Sequence, residues 1–236
     1  MTREFINKTD ISDVMIERPV SFSIKKRHFS VYPTTLGKVQ LTARLIEAMG
    51  LTEDLAKSNV YRVALETART HREECLRLIA YSTLPGADCL DENKVAKRLV
   101  ELRSLEDMDI SSLLMIILSQ DRTKAIEKQF HMDKEAERLA AVNKVKKQDN
   151  SSVSFGGRSV WGSLIDSACE RYGWSYQYVL WGISYTNLQL LFADQIRTIY
   201  LSAEERKKVH IPIDNLIISA EDPVALNQYI KSQSWK

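Results

Sequence analysis

Cysteine, glycine, proline and histidine are all scarce in this chain, and each shortage argues against a class of protein. The 236 residues include three cysteines, eight glycines, five prolines and four histidines. The cysteines form no CxxC pair, which indicates reduced thiols in a cytosol rather than a disulfide framework. The histidines belong to no metal or catalytic motif, and no GxxxxGK[ST] or GxGxxG phosphate loop occurs. We therefore expect no enzymatic activity, no metal and no cofactor.

A strong net charge and long apolar runs are absent as well. The formal net charge of +2 is too small to attract nucleic acid or an anionic membrane to the whole surface. No run approaches the roughly 20 apolar residues of a membrane span, and the first residues lack the apolar core of a signal peptide. We expect a cytoplasmic protein without a membrane segment. Its hydrophobic residues, 44% of the chain, suffice for one large domain or two small ones.

The pattern after a polar N-terminal arm predicts a β-hairpin followed by a helix. Val20–Ile24 and His28–Tyr32 alternate apolar with polar residues, and three basic residues between them predict a charged turn. Thr34 or Thr35 is placed to cap a helix whose apolar residues keep helical spacing until Gly50. A lone hairpin is marginal in water, so we expect it to pack on the helices.

The middle of the chain predicts a helical bundle, which together with the hairpin forms a first domain over residues 1–142. One long helix, or two joined near residues 67–71, are both compatible with Thr52–Leu84. Further helices are predicted for Asp91–Arg103, which is amphipathic, for Asp109–Leu118, which is apolar nearly all round and therefore predicted to be buried, and for the charged segment Asp121–Lys147.

Residues 143–158 read as a linker, because they are polar and contain Ser-Ser and Gly-Gly. A small aromatic-rich helical domain follows over residues 159–236. Its helices are predicted to begin near Ser159, Ser175 and Ser184, with the third helix running to Tyr200, then a basic turn capped by Ser202 and a last helix at Asp222-Pro223. The predicted fold is mainly α: an N-terminal hairpin on a helical bundle, a linker and a small helical domain.

The most distinctive segment is Tyr172–Asp194, which holds two of the four tryptophans and four tyrosines with almost no charge. Aromatic side chains spaced by three or four residues can form the core of a small helical domain. They can equally form a partner-binding face, because Trp and Tyr give large contact area at low entropic cost. Both interpretations remain open for the candidate residues Trp174, Tyr178, Trp181, Tyr185 and Leu188.

Three basic runs raise an alternative function, a nucleic-acid-binding regulator. They are Lys25–Arg27, Lys144–Lys147 and Arg206–Lys208. Phosphate binding needs several cations on one face, whereas these runs are scattered among acidic neighbours. The aromatic residues are also not interleaved with Arg or Lys, as single-strand binding requires. These features argue against nucleic acid as a partner.

Two stretches resemble bacteriophage tail assembly chaperones. Residues 20–50, VSFSIKKRHFSVYPTTLGKVQLTARLIEAMG, are similar to the family's N-terminal pattern of strand, polar turn, strand and Thr-Leu-Gly opening a helix. Residues 170–197, ERYGWSYQYVLWGISYTNLQLLFADQIR, are similar to its segment in which a Tyr-Gly-Trp turn leads into a short helix and then an apolar helix. Their order, with a soft linker between, resembles the long form, which carries an extra C-terminal domain.

The resemblance implies a non-enzymatic, mainly helical protein of the bacterial host cytoplasm. Such a chaperone binds the tape measure protein during tail assembly and is absent from the finished virion. Its C-terminal domain helps to recruit tail tube subunits, and long forms commonly arise by ribosomal frameshifting. Helix-in-groove recognition of a helical client would suit an apolar, aromatic surface.

Overall fold

The computed structural model describes residues 8–24, 27–51, 53–119, 123–146 and 157–209. Within these ranges the chain is helical apart from one two-stranded antiparallel sheet and the connecting loops, which confirms the predicted mainly α fold. Contacts divide the described chain into two compact units. The first contains the described residues up to 136 together with 157–197, and the second contains 137–146 and 198–209.

The predicted hairpin is present, and an unpredicted helix precedes it. Strands β1 (Val20–Ile24) and β2 (Arg27–Val31) pair antiparallel, and the rings of Phe22 and Phe29 stack across the pair with centroids 5.7 Å apart. The second strand begins at Arg27, one residue before the predicted start, and Lys25 and Lys26 lie outside the described residues. The arm read as merely polar contains helix α1 (Lys8–Met15).

Helix α1 is followed by Glu17, which forms hydrogen bonds with residues far along the sequence. Glu17 has a left-handed backbone with φ 56°. Its Oε1 accepts a hydrogen bond from the backbone N of Ser184 at 2.7 Å and another from Nδ2 of Asn187 at 3.0 Å. The carboxylate therefore accepts a hydrogen bond from a backbone N–H at the start of a helix far along the sequence. The helix dipole also favours a negative charge at this position.

Helix α2 (Leu36–Ala48) begins after Thr35 and ends before Gly50, as predicted. Thr35 occupies the N-cap position with extended backbone, yet its hydroxyl makes no capping bond. Gly50 has φ 64°, a left-handed conformation that glycine adopts without strain, and Leu51 N donates to Ile46 O at 3.2 Å. The C-terminal end of α2 is therefore capped by a backbone hydrogen bond to one of the last carbonyls of the helix.

The segment from residue 53 to 82 forms α3 (Glu53–Thr70), which is kinked at the non-helical residue Asn59 (φ −161°, ψ 87°), and α4 (Arg72–Ser82). His71 joins them with non-helical φ −127° and ψ 47°, which confirms the two-helix alternative. After a 3₁₀ turn (Gly86–Leu90), α5 (Glu92–Leu102) begins at Asp91, whose side chain accepts from the backbone N of Asn93 and Lys94.

Helix α6 (Asp107–Leu118) is buried along one face only. Ile110, Leu113 and Leu114 are fully buried in the main core, which also contains residues of α3 and α4. The prediction of a helix buried all round is therefore corrected, because Ser112 is exposed and residues 115–118 are only half-buried. Ile117 and Leu118 of the last turn line an open cavity, which leaves one side of this turn uncovered.

Helices α7 (Thr123–Gln129) and α8 (Met132–Val145) meet at His131, which has φ 59°. Because α8 continues to Val145, the first residues of the predicted linker are helical, and residues 147–156 lie outside the described residues. The division into domains 1–142 and 159–236 stays a prediction. In the second unit, helix α12 (Ala203–Val209) starts with the predicted cap: Ser202 N donates to Glu205, and Glu205 N donates to Ser202 Oγ.

Helices α9 (Val160–Tyr172), α10 (Tyr176–Trp181) and α11 (Tyr185–Ala193) begin at the predicted serines. Each N-cap hydroxyl accepts a backbone hydrogen bond: Ser159 from Gly162, Ser175 from Tyr178 and Ser184 from Asn187. The third helix stops at Ala193, so the predicted end at Tyr200 is wrong. Three β-branched residues, Ile196, Thr198 and Ile199, follow this end and lower the helix propensity. The predicted last helix at Asp222-Pro223 lies outside the described residues.

Replacing Glu17 tests the link between α1 and α11. We expect Glu17→Ala to lower the free energy of unfolding by about 1–3 kcal/mol, because two hydrogen bonds to a charged acceptor are lost. Urea denaturation followed by circular dichroism measures this change. Arg18→Ala is the matched control, since the Arg18 side chain forms an exposed ion pair with Asp13, and such pairs contribute about 0–1 kcal/mol. Equal effects of both substitutions would contradict the proposed role of Glu17.

Candidate functional site

The five predicted residues lie in or beside α10 and α11, and the structure separates them into buried and accessible members. Leu188 is fully buried in a core cluster with Leu36 of α2, Ala168 of α9 and Val179 of α10. It therefore stabilises the packing of these helices and offers no surface to a partner in this conformation.

Trp181 packs inward against the start of α2. A Cβ placed on Gly37 would lie 2.6 Å from Cη2 of the Trp181 ring, closer than real Cβ contacts. The six-membered ring therefore packs directly on the backbone of Gly37, because any residue with a Cβ would occupy this space. Trp181 also packs against a second cluster formed by Tyr81, Leu84, Cys89 and Val95. Trp181 itself is half-buried, so part of its ring contributes to the packing between α10 and α2.

Trp174 and Tyr178 belong to a chain of ring contacts that is partly exposed. The ring centroids are 4.6 Å apart between Tyr172 and Trp174, and 5.1 Å apart between Trp174 and Tyr178. Tyr178 is 44% exposed and the nearby Tyr176 is 56% exposed. We call Tyr172, Trp174, Tyr176 and Tyr178 the aromatic face. Sequence reasoning missed Tyr172 and Tyr176 because only the spacing from Trp174 was followed.

Tyr185 lies at a contact between the start of α11 and the loop that precedes α2. Its backbone N donates to Thr34 O at 2.7 Å, and the neighbouring residues Thr35 and Ser184 form an isolated antiparallel bridge. Its ring lies 6.1 Å from the ring of Trp161. The stretch 20–50 and the stretch 170–197 are therefore joined directly by backbone hydrogen bonds.

A groove on the opposite side of α2 was not predicted from the sequence. It has a cavity volume of about 620 Å³ and runs along α2, with α4 and α6 contributing further walls. No single segment contains this site, because its walls come from three helices far apart in sequence. We call it the α2 groove; its lining comprises Thr34, Lys38, Val39, Thr42, Ala43, Ile46, Glu47, Gly50, Leu51, Leu78, Ser82, Ile117 and Leu118.

Two of the hydroxyl groups that line the α2 groove, those of Thr42 and Ser82, are already hydrogen-bonded. Thr42 Oγ1 donates to Lys38 O at 2.8 Å, and Ser82 Oγ donates to Leu78 O at 2.9 Å. Because both hydroxyls donate to carbonyls of their own helices, an occupant does not need to accept a hydrogen bond from either residue. The half-buried side chains of Ile117 and Leu118 rest on the main core and remain open on the other side. The groove therefore favours an apolar occupant.

Two charged residues line the α2 groove, Lys38 and Glu47, at opposite ends of the helix. Glu47 is exposed, whereas Lys38 is 1% exposed and its Nζ donates to Leu84 O. Nζ also lies 5.7 Å from the ring centroid of Tyr32. Burial lowers the pKa of Lys38 from 10.5 to about 8, an effect partly opposed by Cys89 and Asp88. The ammonium is thus still mostly charged at pH 7.

In the first basic run, Arg27 is the one residue that the structure describes. Its Nη1 donates to Glu101 O at 2.6 Å and to Ser104 Oγ at 2.9 Å. Arg206, Lys207 and Lys208 are exposed on α12. Within the described ranges, no group of three His, Cys, Asp or Glu side chains is placed to hold a metal ion. None of the helices described is both long and apolar enough to cross a membrane.

Comparison with protein-family models, with curated proteins and with solved structures found no match to this chain.

A double-mutant cycle tests the contact between Trp181 and Gly37. Alone, Gly37→Ala is expected to destabilise the protein by about 1–3 kcal/mol, because the added methyl overpacks the ring. In a Trp181→Ala background the clash is absent, and alanine is better than glycine in a helix by about 1 kcal/mol. The same Gly37→Ala change should then be neutral or stabilising. Chemical denaturation of the four proteins measures the coupling, and strictly additive effects would contradict the packing described.

Proposed function

We propose that this chain is a non-enzymatic tail assembly chaperone that acts in the bacterial host cytoplasm. In this proposal it binds the tape measure protein and helps to recruit tail tube subunits. The observation that carries the proposal is the α2 groove: an apolar channel on a folded helical unit, in which the hydroxyls of Thr42 and Ser82 are already hydrogen-bonded. The resemblance of residues 20–50 to the chaperone family covers β1, β2 and α2, the helix that forms most of this groove.

The dimensions of the groove suit a helical client. Helix α2 has 13 residues, which corresponds to about 20 Å at the usual rise of 1.5 Å per residue. A client helix of three to four turns would lie alongside it and bury an apolar stripe, as in other helix-in-groove complexes. A tape measure protein is a long, aggregation-prone helical client, so its apolar stripes need such cover until assembly.

The aromatic face supplies a second surface for the proposed role. Tyr176 and Tyr178 are exposed on α10, and the rings of Trp174 and Tyr172 hold Tyr178 in place. Rigid aromatic side chains give large contact areas with little loss of rotamer freedom. In this proposal the α2 groove receives the tape measure protein and the aromatic face contacts the tube subunit.

Blocking the groove tests binding of the tape measure protein. We expect Ala43→Arg to reduce co-purification of the tape measure protein encoded in the same gene cluster at least tenfold, because a long charged side chain enters an apolar groove. Gln40→Arg is the matched control. Gln40 is exposed on the same helix but does not line the groove. Undiminished capture by the folded Ala43→Arg protein, or equal loss with Gln40→Arg, would reject the α2 groove as the client site. A gene neighbourhood without a tape measure gene would reject the function itself.

Removing the exposed tyrosines tests the aromatic face separately. The double change Tyr176→Ala and Tyr178→Ala is expected to weaken capture of purified tail tube subunits several-fold while leaving capture of the tape measure protein unchanged. Tyr61→Ala is the control, because Tyr61 is 45% exposed but lies on α3, outside the aromatic face. Tube capture that is equally strong in all three proteins would show that this face has no part in recruitment.

A further inference from the structure

Helix α1 and the turn that ends it form a segment that is capped by its own hydrogen bonds. Glu17 N donates to Val14 O at 3.0 Å, and Arg18 N donates to Asp13 O at 2.9 Å. Together with the left-handed backbone of Glu17, these are the two bonds of a Schellman motif, a common way to end a helix. The segment therefore keeps the carboxylate of Glu17 in a fixed place just beyond the helix end. We call residues 8–18 the arm.

The arm binds to one small site at the start of α11. Oε1 of Glu17 accepts from the backbone N of Ser184 and from Nδ2 of Asn187, at 2.7 and 3.0 Å. The same Nδ2 is shared with Val14 O at 3.3 Å and Met15 O at 3.2 Å. Four hydrogen bonds therefore converge on two residues of α11, which we call the arm site. The arm site fits a helix end that is followed directly by a carboxylate.

The link between the arm and the rest of the chain is short and stiff. Pro19 is the one residue between the arm and β1, which begins at Val20. Proline has a fixed φ and also disfavours helical backbone at the residue before it, here Arg18. In addition, Glu17 has φ 56°, a conformation that glycine adopts more easily than glutamate. A short link under strain is the kind of hinge at which identical chains exchange a terminal element.

Large apolar side chains on both sides of this hinge are uncovered. Met15 is 58% exposed, Ile16 is 62% exposed and Val20 is 46% exposed. When two copies with two-fold symmetry exchange their arms, the two hinges run side by side near the symmetry axis. The exposed side chains of one copy then lie next to those of the other. Exchange would therefore remove from water an apolar surface that the single chain leaves exposed.

We propose that two copies of this chain exchange their arms, so that Glu17 of each copy binds the arm site of the other. The exchanged dimer keeps every hydrogen bond between arm and arm site, and it gains the apolar contact at the hinges. These gains oppose the translational and rotational freedom that association costs, so the dimer forms in proportion to concentration. None of the residues of the arm or the arm site lines the α2 groove. This inference therefore does not depend on the proposed function.

The molar mass of the full chain in solution gives the first test. Size-exclusion chromatography with light scattering, from micromolar to near-millimolar protein, is expected to show a dimer whose fraction rises with concentration. Glu17→Ala should raise the dissociation constant of this dimer at least tenfold, because hydrogen bonds to a charged acceptor are lost. Glu66→Ala is the matched control, since it removes the same charge from an exposed position on α3 and should leave the constant unchanged. A wild-type chain that stays monomeric throughout this range would overturn the inference.

Mixing two defective variants tests whether the dimer forms by exchange. Glu17→Ala has a defective arm and an intact arm site, whereas Asn187→Ala has an intact arm and a defective arm site. Each variant alone should dimerise poorly. In the mixture, the arm of the Asn187→Ala copy can bind the arm site of the Glu17→Ala copy, so a tag on one variant should capture the other at least tenfold better than it captures its own kind. Asn187→Asp, which places a like charge against Glu17, replaces Asn187→Ala if circular dichroism shows that the alanine variant is unfolded.

A peptide provides a test on the wild-type chain. The probe is residues 8–19, acetylated and amidated at its ends, and it should dissociate the dimer by occupying the arm site. The same peptide with glutamine in place of Glu17 should need at least a tenfold higher concentration.

The remaining outcomes are equally decisive. A dimer that is as strong in Glu17→Ala as in the wild-type chain would show that the copies meet through another surface, and it would overturn the exchange. Folded variants that fail to complement each other would also overturn it. Capture of the tape measure protein by the α2 groove is measured separately, so the proposed function stands or falls without these results.

Discussion

The packing of Trp181 on the bare backbone of Gly37 is the contact on which the first unit depends. It brings α10 against the first turn of α2 at a distance that no other residue at position 37 would permit. The same ring covers the cluster around Tyr81 and Cys89. Because α10 is held there, the start of α11 reaches Thr34, and residues about 150 positions apart share backbone hydrogen bonds.

Helix α2 consequently has two different faces. One face is covered by α10 and by Leu188 of α11 through Leu36 and Gly37. The other face, with Val39, Ala43 and Ile46, lines the open groove. A helix fixed on one side is a rigid wall on the other, and a preformed wall lowers the ordering cost of binding. The inward aromatic residues therefore contribute to the proposed binding site indirectly, by positioning α2, while Tyr176 and Tyr178 remain available for contact.

Local signals in the sequence predicted the helices and strands well, but they did not predict how these elements contact one another or the groove that they form. The alternation in Val20–Ile24, the glycine after α2 and the capping serines of α9 to α11 act within a few residues, so they can be read directly. Helix α1 was missed because the Glu17 contacts that hold it are with Ser184 and Asn187, far along the chain. The groove was missed for the same reason, since three separate helices form it. Gly37, a glycine inside a helical pattern, was the available signal that a side chain packs closely there.

Hydrogen exchange on the complex with the tape measure protein tests the central claim most directly, because it maps the contact surface without any substitution. If the α2 groove holds the client, amides in residues 38–51 and in the last turns of α4 and α6 should exchange more slowly in the complex than in the free protein. Slowed exchange confined to α9 and α10, with α2 unchanged, would contradict the claim and transfer client binding to the aromatic face.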